Sequence, residues 1–102
     1  MVYNKLVRDQ ILAIIEAQGE RPNFRVLDEE EYARLLEAKL DEEVAEFHQD
    51  KNLEELADIL EVVYALAEQQ GHSREELLEV YRSKHAKRGG FRERIFLISK
   101  EG

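Results

Sequence analysis

Four acidic residues near the middle of the chain are spaced to act together: Glu43 with Glu46, then Glu55 with Asp58. Each pair is three positions apart, so on a helix both carboxylates project from one face, roughly 5–6 Å apart at Cβ. Two carboxylates about 5 Å apart, at an effective dielectric of about 20, repel by roughly 3 kcal/mol. Hard divalent cations offset that repulsion, and an all-oxygen set selects Mg²⁺ or Mn²⁺ over zinc. The spacing therefore points to Mg²⁺-dependent phosphate chemistry. The bland alternative is a solvated acidic stripe, which is what a charge run on a helix usually is.

The elements that would carry these acids decide between the two accounts. Asp28 starts a helix, with Glu31 placed to complete a capping box. Its apolar stripe runs Tyr32, Leu35, Leu36, Leu40, Val44 and Phe47. Glu43 falls on that stripe, between Leu40 and Phe47, where a charge is costly unless paired or metal-bound. Asp50–Lys51–Asn52 breaks the helix, and Asn52 can cap the next one. From Ile59 to Ala67 every residue of that third helix except Glu61 is apolar or aromatic. A helix so apolar all round is buried on several sides, a position that a second subunit would help to cover. Asp58 opens this run and Glu61 interrupts it. Glu55 has an ordinary alternative as the capping-box partner of Asn52. The short link makes the two helices antiparallel neighbours, which brings Glu43, Glu46, Glu55 and Asp58 into one patch.

The flanking segments read more simply. Tyr3 to Asp9 is an entry loop, with Asp9 as N-cap of a first helix that carries Ile11, Ile14 and Ile15 and ends at Gly19. Gly71 ends the third helix, and Ser73 with Glu76 forms a capping box for a fourth, which stops near Lys87. Phe24–Leu27 reads as a short strand. Phe91–Ser99, after the Gly89–Gly90 break, is an apolar run able to pair with it as a two-stranded ribbon packed on the helices. The expected fold is all-α, a four-helix-bundle-like core with that small ribbon.

At 102 residues the chain is one domain, and its 37% charged content and single proline favour helices. It has no cysteine, which excludes disulfides, zinc–thiolate sites and thiol nucleophiles. No apolar run reaches the length of a membrane span, and the expected location is cytoplasmic. A formal net charge of −8 argues against a duplex nucleic-acid binder. The charge is also divided. Asp28 to Asp58 holds thirteen acids and three bases, whereas Arg82 to Arg94 holds six bases and one acid. Opposite charges so arranged suit a metal–polyphosphate ligand.

The string Glu42–Glu43–Val44–Ala45–Glu46, followed by Glu55–Leu56–Ala57–Asp58, is an EExxE…ExxD pattern. It resembles the all-α nucleoside triphosphate pyrophosphohydrolase superfamily, which includes MazG proteins, dimeric dUTPases and phosphoribosyl-ATP pyrophosphohydrolases. The opening Tyr3–Asn4–Lys5–Leu6–Val7–Arg8–Asp9 and the closing Lys87–Arg88–Gly89–Gly90–Phe91 look like a small MazG-like branch labelled phosphoribosyl-ATP pyrophosphohydrolase-like. The resemblance runs over nearly the whole chain. It implies assembly as a homodimer or homotetramer and cleavage of a nucleotide between its α- and β-phosphates, giving the monophosphate and pyrophosphate. It places the metal ligands on Glu43, Glu46, Glu55 and Asp58, with Glu42 as a further acidic member. Eight residues separate Glu46 from Glu55, a gap nearer the phosphoribosyl-ATP branch than many MazG proteins.

One outer carboxylate, Glu46 or Glu42, is expected to take the proton from the attacking water. Lys5, Arg8, Lys84, Lys87 and Arg88 are candidates for a phosphate clamp. For Lys84 and Lys87 the competing role is to complement a helix C-terminus; Arg8 has no such role. Tyr64 and Tyr81 could stack on a base, although Tyr64 sits on so apolar a helix that a core position is the simpler reading. His48, His72 and His85 read as surface residues. Two readings compete with the hydrolase: a non-catalytic Mg-nucleotide-binding regulatory helical module, and a structural helical dimer with solvated acids. The substrate base stays open.

Overall fold

The computed structural model describes residues 2–102, which form four helices: α1 (Ile11–Ala17), α2 (Glu29–Asp50), α3 (Leu53–Gln69) and α4 (Arg74–Arg88). No strand occurs among the described residues, and no helix is long and apolar enough to cross a membrane. The all-α expectation holds and the ribbon does not.

Local chemistry sets most helix ends. Asp28 accepts the Glu31 backbone N–H at 2.9 Å and Asn52 accepts that of Glu55 at 2.9 Å. Ser73 and Glu76 complete a reciprocal capping box, at 3.1 and 2.9 Å. The box expected at Asp28 is only half made, because the Glu31 carboxylate turns back to the Arg25 guanidinium through bonds of 3.0 and 2.8 Å. Asp9 does not cap α1. Gln10 stands at the N-cap in helical backbone geometry with no side-chain bond, whereas a capping carboxylate needs extended backbone at its own position. Gly19 (φ 84°) and Gly71 (φ 90°) close α1 and α3 in the left-handed region. Each is followed by the paired reverse bonds of a Schellman turn: Gly19 N–H to Glu16 O, Glu20 N–H to Ile15 O, Gly71 N–H to Glu68 O and His72 N–H to Ala67 O.

The packed part of the chain is the α2/α3 hairpin, with α4 laid against α3. Only Lys51 and Asn52 separate α2 from α3, and Lys51 (φ 49°) makes the reversal. Leu36 and Val62 form the buried apolar centre. Arg74 stacks its guanidinium 3.9 Å above the Tyr64 ring where α4 meets α3, so Tyr64 is a packing residue. α1 makes no close backbone approach to another helix. A single chain therefore does not close a four-helix bundle.

The dimensions say the same. The radius of gyration is 18.0 Å, against about 13 Å for a compact chain of this length. The accessible surface is 9551 Å², against about 6,000 Å² for a compact monomer of this mass. Much of the excess is apolar, and its extreme is the segment after Gly89, where Phe91, Ile95, Phe96, Leu97 and Ile98 are 76–97% exposed. This explains the missing ribbon. Phe91 and Arg94 close a turn (Arg94 N–H to Phe91 O, 3.1 Å), Phe24 and Val26 are also exposed, and two strands with no packed face are marginal in water.

Candidate metal centre

Glu43 projects from α2 into the hairpin, where it is 7% exposed and the only buried charged residue among those described. The position follows from the helical period: a residue between Leu40 and Phe47 on the apolar stripe must face α3. Lys39, one turn earlier, reaches back with Nζ 3.3 Å from Glu43 Oε1 and 3.1 Å from Glu42 Oε2. That leaves Glu43 Oε2 buried with no hydrogen-bond partner. Across the hairpin Glu55 Oε2 is in the same condition. Asn52 takes only the backbone N–H of Glu55, so the carboxylate is free of the capping-box role and points to the centre. Glu43, Glu55 and Asp58 each present one oxygen, and the three lie within 4.8 Å of one another.

The electrostatics follow from this convergence. Burial pushes the Glu43 carboxyl above the usual range against the pull of Lys39, and Glu46 and Asp58 push it further. Loss of solvent also raises Glu55, with Glu46 the leading neighbour in both charge and contact and Asp50 and Asp58 adding to it. Glu42, one residue from Glu43, moves the other way. Burial raises it, but hydrogen bonds and charge from Lys39 and Lys5 outweigh that and hold it low. Buried acceptor oxygens with no donor are costly, and the carboxylates that surround them cannot donate unless protonated. A hard cation held by these carboxylates would relieve that cost, and an all-carboxylate donor set at helix spacing is the chemistry that Mg²⁺ and Mn²⁺ prefer. The residues present fit such an ion.

Most of the acids and cations singled out in the sequence are gathered here. Glu46 acts on both Glu43 and Glu55 but stands outside the tightest group. Lys5 Nζ lies 3.1 Å from Glu42 Oε1. Arg8 donates to Asp58 Oδ1 at 2.6 Å and lies 3.9 Å from Glu61 Oε1. The entry segment thus crosses the hairpin and sets two cations on its acidic face. Lys84, Lys87 and Arg88 are exposed at the end of α4, and among the described residues they form no ion pair with the acidic centre. Tyr81 is 59% exposed beside His85. Sequence reasoning missed Lys39, whose signal is its place three and four residues before Glu42 and Glu43. A lysine among acids reads as solvent-facing, yet this side chain is 15% exposed.

No family model matches the chain, and no solved structure matches it. A protein of Mycolicibacterium smegmatis, described as uncharacterized, is 55% identical over 42 residues, a stretch that is 41% of this chain and 43% of that protein. The match thus spans less than half the length of either chain.

Proposed function

We propose that this chain is a Mg²⁺-dependent nucleotide pyrophosphohydrolase that assembles as a homodimer or higher oligomer. The observation that carries the reading is the convergence of Glu43, Glu55 and Asp58 within 4.8 Å, with two of the carboxylates holding a buried, unpartnered oxygen. A solvated acidic stripe would turn those oxygens to water. The EExxE…ExxD pattern and its resemblance supply the reaction class, and the uncovered surface supports assembly.

Glu43, Glu55 and Asp58 would hold the cation, which when bound would supply charge neutralisation and a more acidic water. Lys39 fixes Glu43 through Oε1 and leaves Oε2 for the centre. Water attacks the α-phosphorus, the α–β bridging P–O bond breaks, and pyrophosphate leaves. Glu46 takes the water's proton. It borders the centre and makes no ion pair with a lysine, whereas Glu42 is bound by two and held low, which makes it a poor base. Arg8 and Lys5 lie on the acidic face and offer charge to phosphate oxygens. Arg8→Ala raises KM or lowers kcat in this account; unchanged kinetics remove Arg8 from the site.

The reading is tested by pyrophosphate release from canonical, oxidised and deoxynucleoside triphosphates and phosphoribosyl-ATP. Saturable Mg-nucleotide binding without release would favour the regulatory module instead.

A further inference from the structure

The apolar arm after the Gly89–Gly90 break is open to solvent, although its root shares a cleft with Tyr81 and His85 of α4. Phe91, Ile95, Phe96, Leu97 and Ile98 are all at least 76% exposed. A second bare surface lies on α3, where Leu53, Leu56 and Leu60 are 80%, 45% and 49% exposed. Their spacing puts these leucines on one side of the helix. We propose that the arm, residues 91–98, docks on this leucine stripe of a second copy of the chain. The inference deepens the assembly part of the proposed function and rests on it, not on the hydrolase chemistry.

Three observations choose that occupant. The first is area: the chain exposes about 3,500 Å² more than a compact monomer of its mass. A standard interface needs only about 800 Å² from each partner, so the excess is on the scale of an obligate assembly. The second is charge. The stripe is flanked by exposed Glu54 and by Glu61, which Arg8 approaches at 3.9 Å, and belongs to a strongly acidic region, whereas the arm carries Arg92 and Arg94 against one acid, Glu93, and follows the basic end of α4. Complementary charge fixes register and excludes like-charged faces. The third is reach. Eight extended residues span about 26 Å, while Leu53 to Leu60 covers about 10 Å of helix. Gly89, with φ 76° and open space around it, gives the arm a pivot at its root.

The chain contains no cysteine, so introduced thiols report without background. The experiment mixes full-length Leu56→Cys chain with full-length Phe96→Cys chain under mild oxidation, and measures the mass of the unmodified chain by light scattering. The expected result is at least twice the 12.0 kDa of one chain, with a crosslinked pair in the mixture well above that in either variant alone. Ile95→Asp with Leu97→Asp should weaken self-association at least tenfold while leaving helix content unchanged. A multi-chain mass without the mixed crosslink would overturn the assigned surfaces and leave assembly standing. A chain carrying both thiols that closes only on itself would show that the arm folds back onto its own helix. A one-chain mass would sink both claims, and arm-dependent binding to anionic phospholipid vesicles would then assign the arm to a lipid surface.

Discussion

The α2/α3 hairpin and the arm after Gly89 are both rich in large apolar side chains, yet they meet opposite fates. In the hairpin, the 22 residues of α2 and 17 of α3 satisfy their own backbone bonds and bury Leu36 and Val62 between them. The arm has the same kind of side chains but one local turn and no packed face. Apolar content demands burial in both, but only the hairpin has its partner two residues away in the sequence. The acidic centre belongs to the self-sufficient region. Its ligands are set by helix period and one tight reversal, so it forms within a single chain, while the outer cover of the helices does not.

Substitutions that test this contrast fall in a clear order. Leu36→Ala should destabilise the fold by about 2–5 kcal/mol, read by denaturant melts. Leu97→Ala should leave the melt unchanged at a chain concentration low enough to dissociate the proposed assembly. A large effect there would mean that the arm packs on its own chain. Lys39→Met, which keeps the stem and removes the charge, should weaken Mg²⁺ affinity by about 10–100-fold through loss of the group that orients Glu43. Calorimetric titration with Mg²⁺ alone reads this, and an unchanged affinity would reduce Lys39 to a surface ion pair. Ser73→Ala should cost about 1 kcal/mol by removing the α4 cap, with no effect on Mg²⁺ binding.

The smallest effect is a pH dependence in chelator. The folded pKa of Glu43 lies above its ordinary 4.5, so the native state binds its proton more tightly than the unfolded chain does. Stability from this group is therefore present below 4.5 and lost as pH rises through the raised value. Glu42, held low, contributes in the opposite sense: its stabilisation is present above 4.5 and lost as pH falls. Glu43→Gln removes only the first of these. The melting temperature of the variant should thus exceed that of the parent by a margin that grows as pH rises above 4.5, and a margin that shrinks would contradict the buried, crowded placement of Glu43.

What could be read from sequence was what depends on neighbours along the chain. The caps at Asp28, Asn52 and Ser73 and the stops at Gly19 and Gly71 are local, and each was legible. So was Glu43, because a charge on an apolar stripe has few places to go. Features set by distant partners were not. Glu31 left its capping box for Arg25, and Glu55 left its own for the acidic centre. Lys39 looked like one more solvated base. Phe91–Ser99 read as a strand because its apolarity says that it must be covered, not by what.

The central claim is that Glu43, Glu55 and Asp58 form a cation site that serves phosphate hydrolysis. The most direct test is pyrophosphate release from the nucleotide panel in millimolar Mg²⁺, with Glu43→Gln in parallel and its fold checked by circular dichroism. The account predicts release by the parent chain and its loss in a folded variant. No release from any nucleotide, together with no Mg²⁺-dependent rise in melting temperature, would contradict it and leave the acids as a buried but purely structural cluster.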